Sequence, residues 1–140
     1  KKMTRFIMTL SEATRLVLES VWIATGGEGM VTRMPVVKIE DIAKVMGKNL
    51  AEENTVDILE IGSKPGEKMY EELMNDEELR RARIFGSFIV VLSAFIDPLD
   101  PRLIYLENSD VPDRPYNSDN EDPLNIDEIE RYFTAHGILD

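Results

Sequence analysis

Apolar positions recur along the chain in two rhythms, and the switches between them mark the expected elements. Residues 4–8 read as a short strand, and Thr9-Leu10-Ser11-Glu12 then has the spacing of a capping box, in which hydroxyl and carboxylate satisfy each other's main-chain amides. From there Ala13, Leu16, Val17, Val21 and Ala24 return at three- and four-residue steps, with Leu18 and Trp22 widening the face, until Gly26-Gly27 stops the helix. That face is expected to pack on apolar surface, with Trp22 in a core rather than as a base-stacking platform. Residues 30–39 form a strand-like run broken by Pro35, which suits an edge or two short strands. Ile39, Ile42, Ala43, Met46 and Leu50 mark a second amphipathic helix, weakened by Gly47.

Residues 55–61 follow as a strand, and Gly62-Ser63-Lys64-Pro65-Gly66 has the composition of a turn. Residues 68–74 and 76–83 read as two short helices, residues 88–92 as a buried strand, and residues 126–135 as a last amphipathic helix closed by Gly137. The expected fold is a small mixed α/β unit.

Length and charge sharpen this picture. A chain of 140 residues is about the size of one domain and can bury roughly 68–70% of its unfolded surface, enough for a core without staples. The net charge of -11 is uneven: residues 1–96 carry 15 acids and 13 bases, whereas residues 97–140 carry 12 acids and 3 bases. Five prolines (Pro98, Pro101, Pro112, Pro115 and Pro123) also fall in the second part. The expected organisation is a substrate-binding body over 1–96, with 97–140 as an acidic, extended wrapping segment and terminal helix of the same domain. Excess negative charge disfavours nucleic acid and anionic membrane surfaces as partners. The longest mostly apolar stretch, residues 84–96, is far short of the ~20 residues that span a bilayer, and no signal-peptide layout precedes it. Zero cysteines exclude a disulfide framework and thiolate metal sites, so a reducing cytoplasm is the expected setting. The chain opens on Lys1 and turns apolar almost at once, as a piece of a longer protein would.

Most candidate chemistry has an ordinary explanation. His136, the single histidine, stands at the end of the last helix, where a cation meets the helix dipole favourably. Asn117, Asp119, Glu121, Asn125 and Glu128 have oxygen ligands at calcium-loop offsets, but Asp122 stands where the sharp turn needs glycine, so a solvated acidic loop is expected and no metal site. Residues 62–68 lack the Gly-Lys-Ser/Thr ending of a Walker loop. The same segment still places a lysine, a Pro-Gly turn and a helix start together, a corner that can face phosphate. Glu67 there can accept hydrogen bonds from two neighbouring hydroxyls, as a carboxylate does on a ribose. On the residues alone, an ordinary charged turn and helix cap competes with that reading.

Three segments in order then carry a resemblance: Met-Thr-Arg-Phe-Ile-Met-Thr-Leu-Ser-Glu-Ala from Met3, Lys-Pro-Gly-Glu-Lys-Met-Tyr-Glu-Glu-Leu from Lys64, and Tyr-Asn-Ser-Asp-Asn from Tyr116. Together they resemble the C-terminal portion of nucleotide-sugar 4,6-dehydratases of polysaccharide biosynthesis, in the extended branch of the short-chain dehydrogenase/reductase superfamily. The resemblance runs from Met3 to Leu139. It implies a C-terminal domain that holds a UDP-sugar, typically UDP-N-acetylglucosamine, against a Rossmann domain carrying NAD or NADP. In such enzymes oxidation at sugar C4 acidifies the C5 proton, water leaves from C5 and C6, and the hydride returns to C6. This chain has no Gly-x-x-Gly-x-x-Gly turn and no Tyr-x-x-x-Lys pair, so no cofactor site or catalytic residue is expected in it, nor turnover by it alone.

By the same resemblance Lys64 takes the place of a phosphate-binding arginine, keeping the charge but losing the bidentate fork, and Glu67 takes the place of a ribose-binding glutamate. Arg5 matches a second phosphate contact of related epimerases, with Thr4 along the same wall and Met3 either beside it or packed in the core. The expected partners are a UDP-sugar and a Rossmann domain, in cis or as a separate chain, with self-association where an apolar face is left uncovered. Two rivals remain at this point: the same half of a UDP-sugar 4-epimerase, and an acidic module docking on a basic partner through residues 97–140. A self-sufficient hydrolase lacks a nucleophile with a nearby base.

Overall fold

In the computed structural model, which describes residues 3–50, 56–97 and 99–139, the chain is a mixed α/β fold with short elements. In order these are β1 (Thr4–Phe6), α1 (Leu10–Ile23), β2 (Gly29–Thr32), β3 (Val36–Lys38), α2 (Ile39–Leu50), β4 (Glu72–Met74), α3 (Asp76–Leu79), β5 (Ala82–Phe85), β6 (Phe88–Val91), a 3-10 helix (Pro101–Leu106), β7 (Tyr116–Asn117) and α4 (Ile126–Ala135). They divide into two units of chain. The first gathers the described residues of Lys1–Ile7, Pro35–Glu71 and Ser118–Asp140, and the second those of Met8–Met34 and Glu72–Asn117.

In the first unit β1 pairs antiparallel with β3, Arg5 standing opposite Val37. Val37, Val45, Ile129 and Phe133 form the core, with Ile7, Ile42, Leu124 and Tyr132 against it. Fully burying side chains of this size contributes about 1.5–3 kcal/mol each, which is what holds α2 and α4 together. Ile129 and Phe133 lie four apart on α4, and Asn125 caps that helix in a reciprocal box with Glu128, so two residues at calcium-loop offsets serve the helix start. Lys48 and Glu130 bridge the two helices at 2.9 Å, on the outside. Gly47 has a packing reason: a Cβ there would come within 3.1 Å of the Val56 side chain.

In the second unit β6 is the central strand, flanked antiparallel by β2 and β5, and all four of its residues are buried. Phe88, Val90, Leu92, Leu103 and Leu106 make the core, so the 3-10 helix of the proline-rich region contributes two core leucines. β4 pairs antiparallel with β7. The expected capping box is present, with Glu12 N–H donating to Thr9 Oγ1 at 3.2 Å and Thr9 N–H donating to the Glu12 carboxylate at 2.7 Å. α1 packs Leu16 and Ile23 on the core.

Several expectations need correction. Trp22 is not in a core but 89% exposed, and Leu10, Val17, Leu18 and Val21 are exposed with it. The periodicity identifies side chains that share a face; it does not say that anything covers that face. Residues 56–61 form no strand and pair with none among the described residues, and Thr55 lies outside them, as does Pro98. β-forming composition needs a partner edge, and Leu59 and Ile61 here face solvent. Residues 68–74 are not a helix: Glu72–Met74 pairs with Tyr116–Asn117 instead. The helix expected over 76–83 is one turn, Asp76–Leu79, because Ala82 already belongs to the β5–β6 hairpin closed at Gly86-Ser87. No helix among the described residues is long and apolar enough to cross a membrane.

Candidate functional site

Thr4, Arg5, Lys64 and Glu67 all belong to the first unit. Lys64-Pro65-Gly66-Glu67 is a β-turn: the Glu67 N–H donates to the Lys64 carbonyl at 3.0 Å, with proline second and glycine third. Gly66 has φ +86, the left-handed value a type II turn demands at that position. The Glu67 carboxylate folds back and accepts the Lys64 N–H at 3.0 Å. The Lys64 side chain is exposed and forms no ion pair among the described residues. The helix expected to begin at Lys68 is absent, so the dipole of that helix is not available to the turn, which offers its side chains and main-chain amides instead.

Beyond the turn the chain is fastened to β1. The Thr4 N–H donates to the Met69 carbonyl at 3.0 Å, on the edge of β1 away from β3. Arg5 Nη2 donates to the Lys68 carbonyl at 2.8 Å, Nη1 donates to the Thr4 carbonyl at 2.7 Å, and Nε lies 3.4 Å from a Glu71 carboxylate oxygen. The structure thus brings Arg5 and Thr4 against residues 68–71 and joins Lys64 to Glu67. Arg5 is engaged with the loop itself; a guanidinium has five N–H donors, so these bonds do not exhaust it.

One residue of the site had no role in the sequence reading. Ser118 is fully buried, with its hydroxyl 2.9 Å from Thr4 Oγ1 and accepting the Glu71 N–H at 2.9 Å. The only signal for it was the Tyr-Asn-Ser-Asp-Asn motif, which named the segment without saying what it touches. His136 caps α4 and lies ring to ring with Tyr132 at 4.5 Å, a helix-end role. Among the described residues no group of histidine and acid side chains is placed to hold a metal ion. The arrangement therefore joins a lysine and a carboxylate through a tight turn and sets an arginine on the segment that follows it, donor and acceptor types that can engage a polar anion.

Comparison with known proteins agrees on the kind of chain this is. A family described as "Polysaccharide biosynthesis protein" matches residues 1–93. The chain is 39% identical over 100 residues to the uncharacterized membrane protein MJ1061 of Methanocaldococcus jannaschii, a match covering 68% of this chain and 30% of that protein. It is 30% identical over 134 residues to the UDP-glucose 4-epimerase of Rickettsia felis, covering 91% of this chain and 37% of the epimerase. Among solved structures, Pen from Bacillus thuringiensis is similar over 99% of this chain and 39% of its own, with 35% identity and a TM-score of 0.78. The chain thus spans well under half the length of each of these relatives.

Proposed function

The chain belongs to the polysaccharide biosynthesis protein family, and on that footing we propose that it is the nucleotide-sugar-binding part of an NAD(P)-dependent sugar-nucleotide 4,6-dehydratase, acting on a UDP-N-acetylglucosamine-like substrate in the cytoplasm. The observation that carries the reading is the Lys64–Glu67 turn, joined to a segment that Arg5 and Thr4 hold against β1. Lys64 and Arg5 face the diphosphate, Glu67 accepts the ribose hydroxyls, and Thr4 completes the wall. Lysine binds phosphate as a point charge, so the diphosphate has more freedom here than under an arginine fork.

NAD or NADP has no seat in these residues: the glycine-rich dinucleotide turn is absent from the sequence. The cofactor, which when bound takes a hydride from the sugar and returns it, belongs in this reading to a Rossmann domain in cis or on a separate chain. Two observations support such a partner. The relatives extend far beyond the matched segment, and α1 leaves Leu10, Leu18 and Trp22 exposed along a groove of about 620 Å³. A 4-epimerase is the second reading, favoured by the Rickettsia relative, and the binding half serves both because both hold UDP.

The test is an amide NMR titration of the chain with millimolar UDP-N-acetylglucosamine, with GDP-mannose as control. Shifts confined to residues 62–70 and β1, lost in Lys64→Ala and Glu67→Ala and weak with the control, are expected. Shifts elsewhere, or equal shifts with both nucleotides, would overturn the assignment of this turn.

A further inference from the structure

Resting on that reading and deepening it, we infer that Ser118 is a positioning residue for the nucleotide-sugar loop: its buried hydroxyl fastens residues 69–71 to β1 and so sets where Arg5 and the Lys64–Glu67 turn stand. Ser118 is 0% exposed, so it does not touch a ligand and acts through its neighbours. Its main-chain N–H donates to the Glu71 carbonyl at 2.8 Å, and its side chain accepts the Glu71 N–H at 2.9 Å, so one residue holds both faces of one peptide position. The same hydroxyl is 2.9 Å from Thr4 Oγ1, across 114 positions of sequence. A serine hydroxyl offers one donor and two acceptor sites, and these two contacts engage it from both sides.

Thr4 closes the arrangement. Its N–H donates to the Met69 carbonyl, and its next neighbour Arg5 donates to the Lys68 carbonyl, so Thr4 and Arg5 bind consecutive loop carbonyls while Ser118 holds Glu71, two positions beyond. Removing the Ser118 hydroxyl leaves the buried Thr4 hydroxyl and the part-buried Glu71 N–H short of a partner, whereas the Ser118 main-chain bond to Glu71 survives. The loss therefore falls on the placement of the loop and not on the strand pair or the α2–α4 core. Thr4 immediately precedes Arg5, the group assigned to the diphosphate, and Ser118 holds both Thr4 and the Glu71 that Arg5 meets, so a loosened clasp reaches the ligand through Arg5.

The experiment compares wild type with Ser118→Ala, Thr4→Val and Thr4→Ser in the 140-residue chain. Residue-resolved amide hydrogen exchange without ligand is followed by titration with UDP-N-acetylglucosamine. Ser118→Ala is expected to speed exchange at Glu71 about tenfold while the Val45 and Ile129 amides hold, and to weaken UDP-N-acetylglucosamine binding about tenfold. Thr4→Val shifts both readouts in the same direction, and Thr4→Ser, which keeps the hydroxyl, restores them. Should Ser118→Ala fail to fold, the two Thr4 variants decide. Unchanged Glu71 exchange, or an equal rise at Val45 and Ile129, overturns the inference. A wild type that shows no shifts with UDP-N-acetylglucosamine overturns the nucleotide-sugar reading, and the exchange pattern then judges the clasp separately.

Discussion

Glu67 and Lys64 grip each other across the Pro65-Gly66 turn, the Glu67 carboxylate accepting the Lys64 N–H at 3.0 Å while the Glu67 N–H donates to the Lys64 carbonyl at 3.0 Å. Shape and charge at Glu67 can therefore be separated. Glu67→Gln keeps an acceptor for the Lys64 N–H and removes the charge; Glu67→Ala removes both. Charge-assisted hydrogen bonds are roughly twice as strong as neutral ones, so the glutamine variant should keep the ligand-free amide shifts of residues 62–70 close to wild type yet bind UDP-N-acetylglucosamine roughly tenfold more weakly. Alanine should disturb both. Full affinity in Glu67→Gln would remove the carboxylate from the ribose.

Trp22 is the chain's one tryptophan and is 89% exposed on α1. Its fluorescence is therefore a direct reporter of whatever covers that helix. The free chain should emit as a solvent-exposed indole and be readily quenched by acrylamide. Adding, as a separate polypeptide, the part of the Bacillus thuringiensis relative outside the matched region should shift the emission to the blue and protect it from quencher. Leu18→Glu, in the same groove, should abolish that shift without changing the fold of the free chain. A blue-shifted, protected indole at the outset, varying with chain concentration, would instead mean that copies cover α1 for one another.

Local signals were legible in the sequence, and signals that depend on distant partners were not. Thr9 with Glu12 settles a helix start within four residues, and the Gly137 stop is as local, whereas the equally local box of Asn125 and Glu128 is hidden among acids at calcium-loop offsets. Residues 68–74 look helical because Met69, Tyr70 and Leu73 recur at helical steps, yet Glu72–Met74 meets β7, which no local window contains. Trp22 looked like core for a related reason: α1 is apolar on more than one side, and the β2-β6-β5 unit takes only Leu16 and Ile23 from it. At the candidate site, the Lys-Pro-Gly-Glu turn could be read from residue types, since proline and glycine have fixed positions in a type II turn. Ser118 could not, because its role exists only through contact with Thr4 at the other end of the chain.

Asp100 caps the 3-10 helix and should titrate unusually low. The Arg102 guanidinium, with Nη2 at 2.7 Å from Asp100, holds the carboxyl down first, the Arg102 main-chain N–H at 2.9 Å second, and together they bring it to about 2 from 3.8. A depressed carboxyl contributes stability above its unfolded value and loses it as the pH falls through the folded one, here from near 3.8 down through about 2. A carboxyl-carbon NMR titration should find that low midpoint, and Arg102→Gln should move it upward while the main-chain bond keeps it short of 3.8. An unmoved midpoint would remove the guanidinium as its cause.

Tyr105 makes the opposite case. Its hydroxyl donates to Glu28 Oε1 at 3.2 Å, and its ring meets Phe85 edge-on at 5.3 Å between centroids. Burial, then the Glu28 charge, then this hydrogen bond push the phenol up to about 12 from 10.0. For Glu28, burial by itself would raise the carboxyl. Hydrogen bonds from the Thr25 N–H, its own N–H, the Thr25 hydroxyl and Tyr105 outweigh that burial and leave the group below its ordinary value, so it is ionised at neutral pH. Because the fold favours the neutral phenol, this pair's contribution is complete below about 10 and is lost as the pH rises through about 12. An NMR titration followed at the Tyr105 ring should find that raised midpoint. Glu28→Gln takes away the charge and leaves the burial, so the midpoint should move down yet stay above 10.0. A midpoint unmoved in Glu28→Gln would leave burial as the whole cause and make the 3.2 Å contact electrostatically idle.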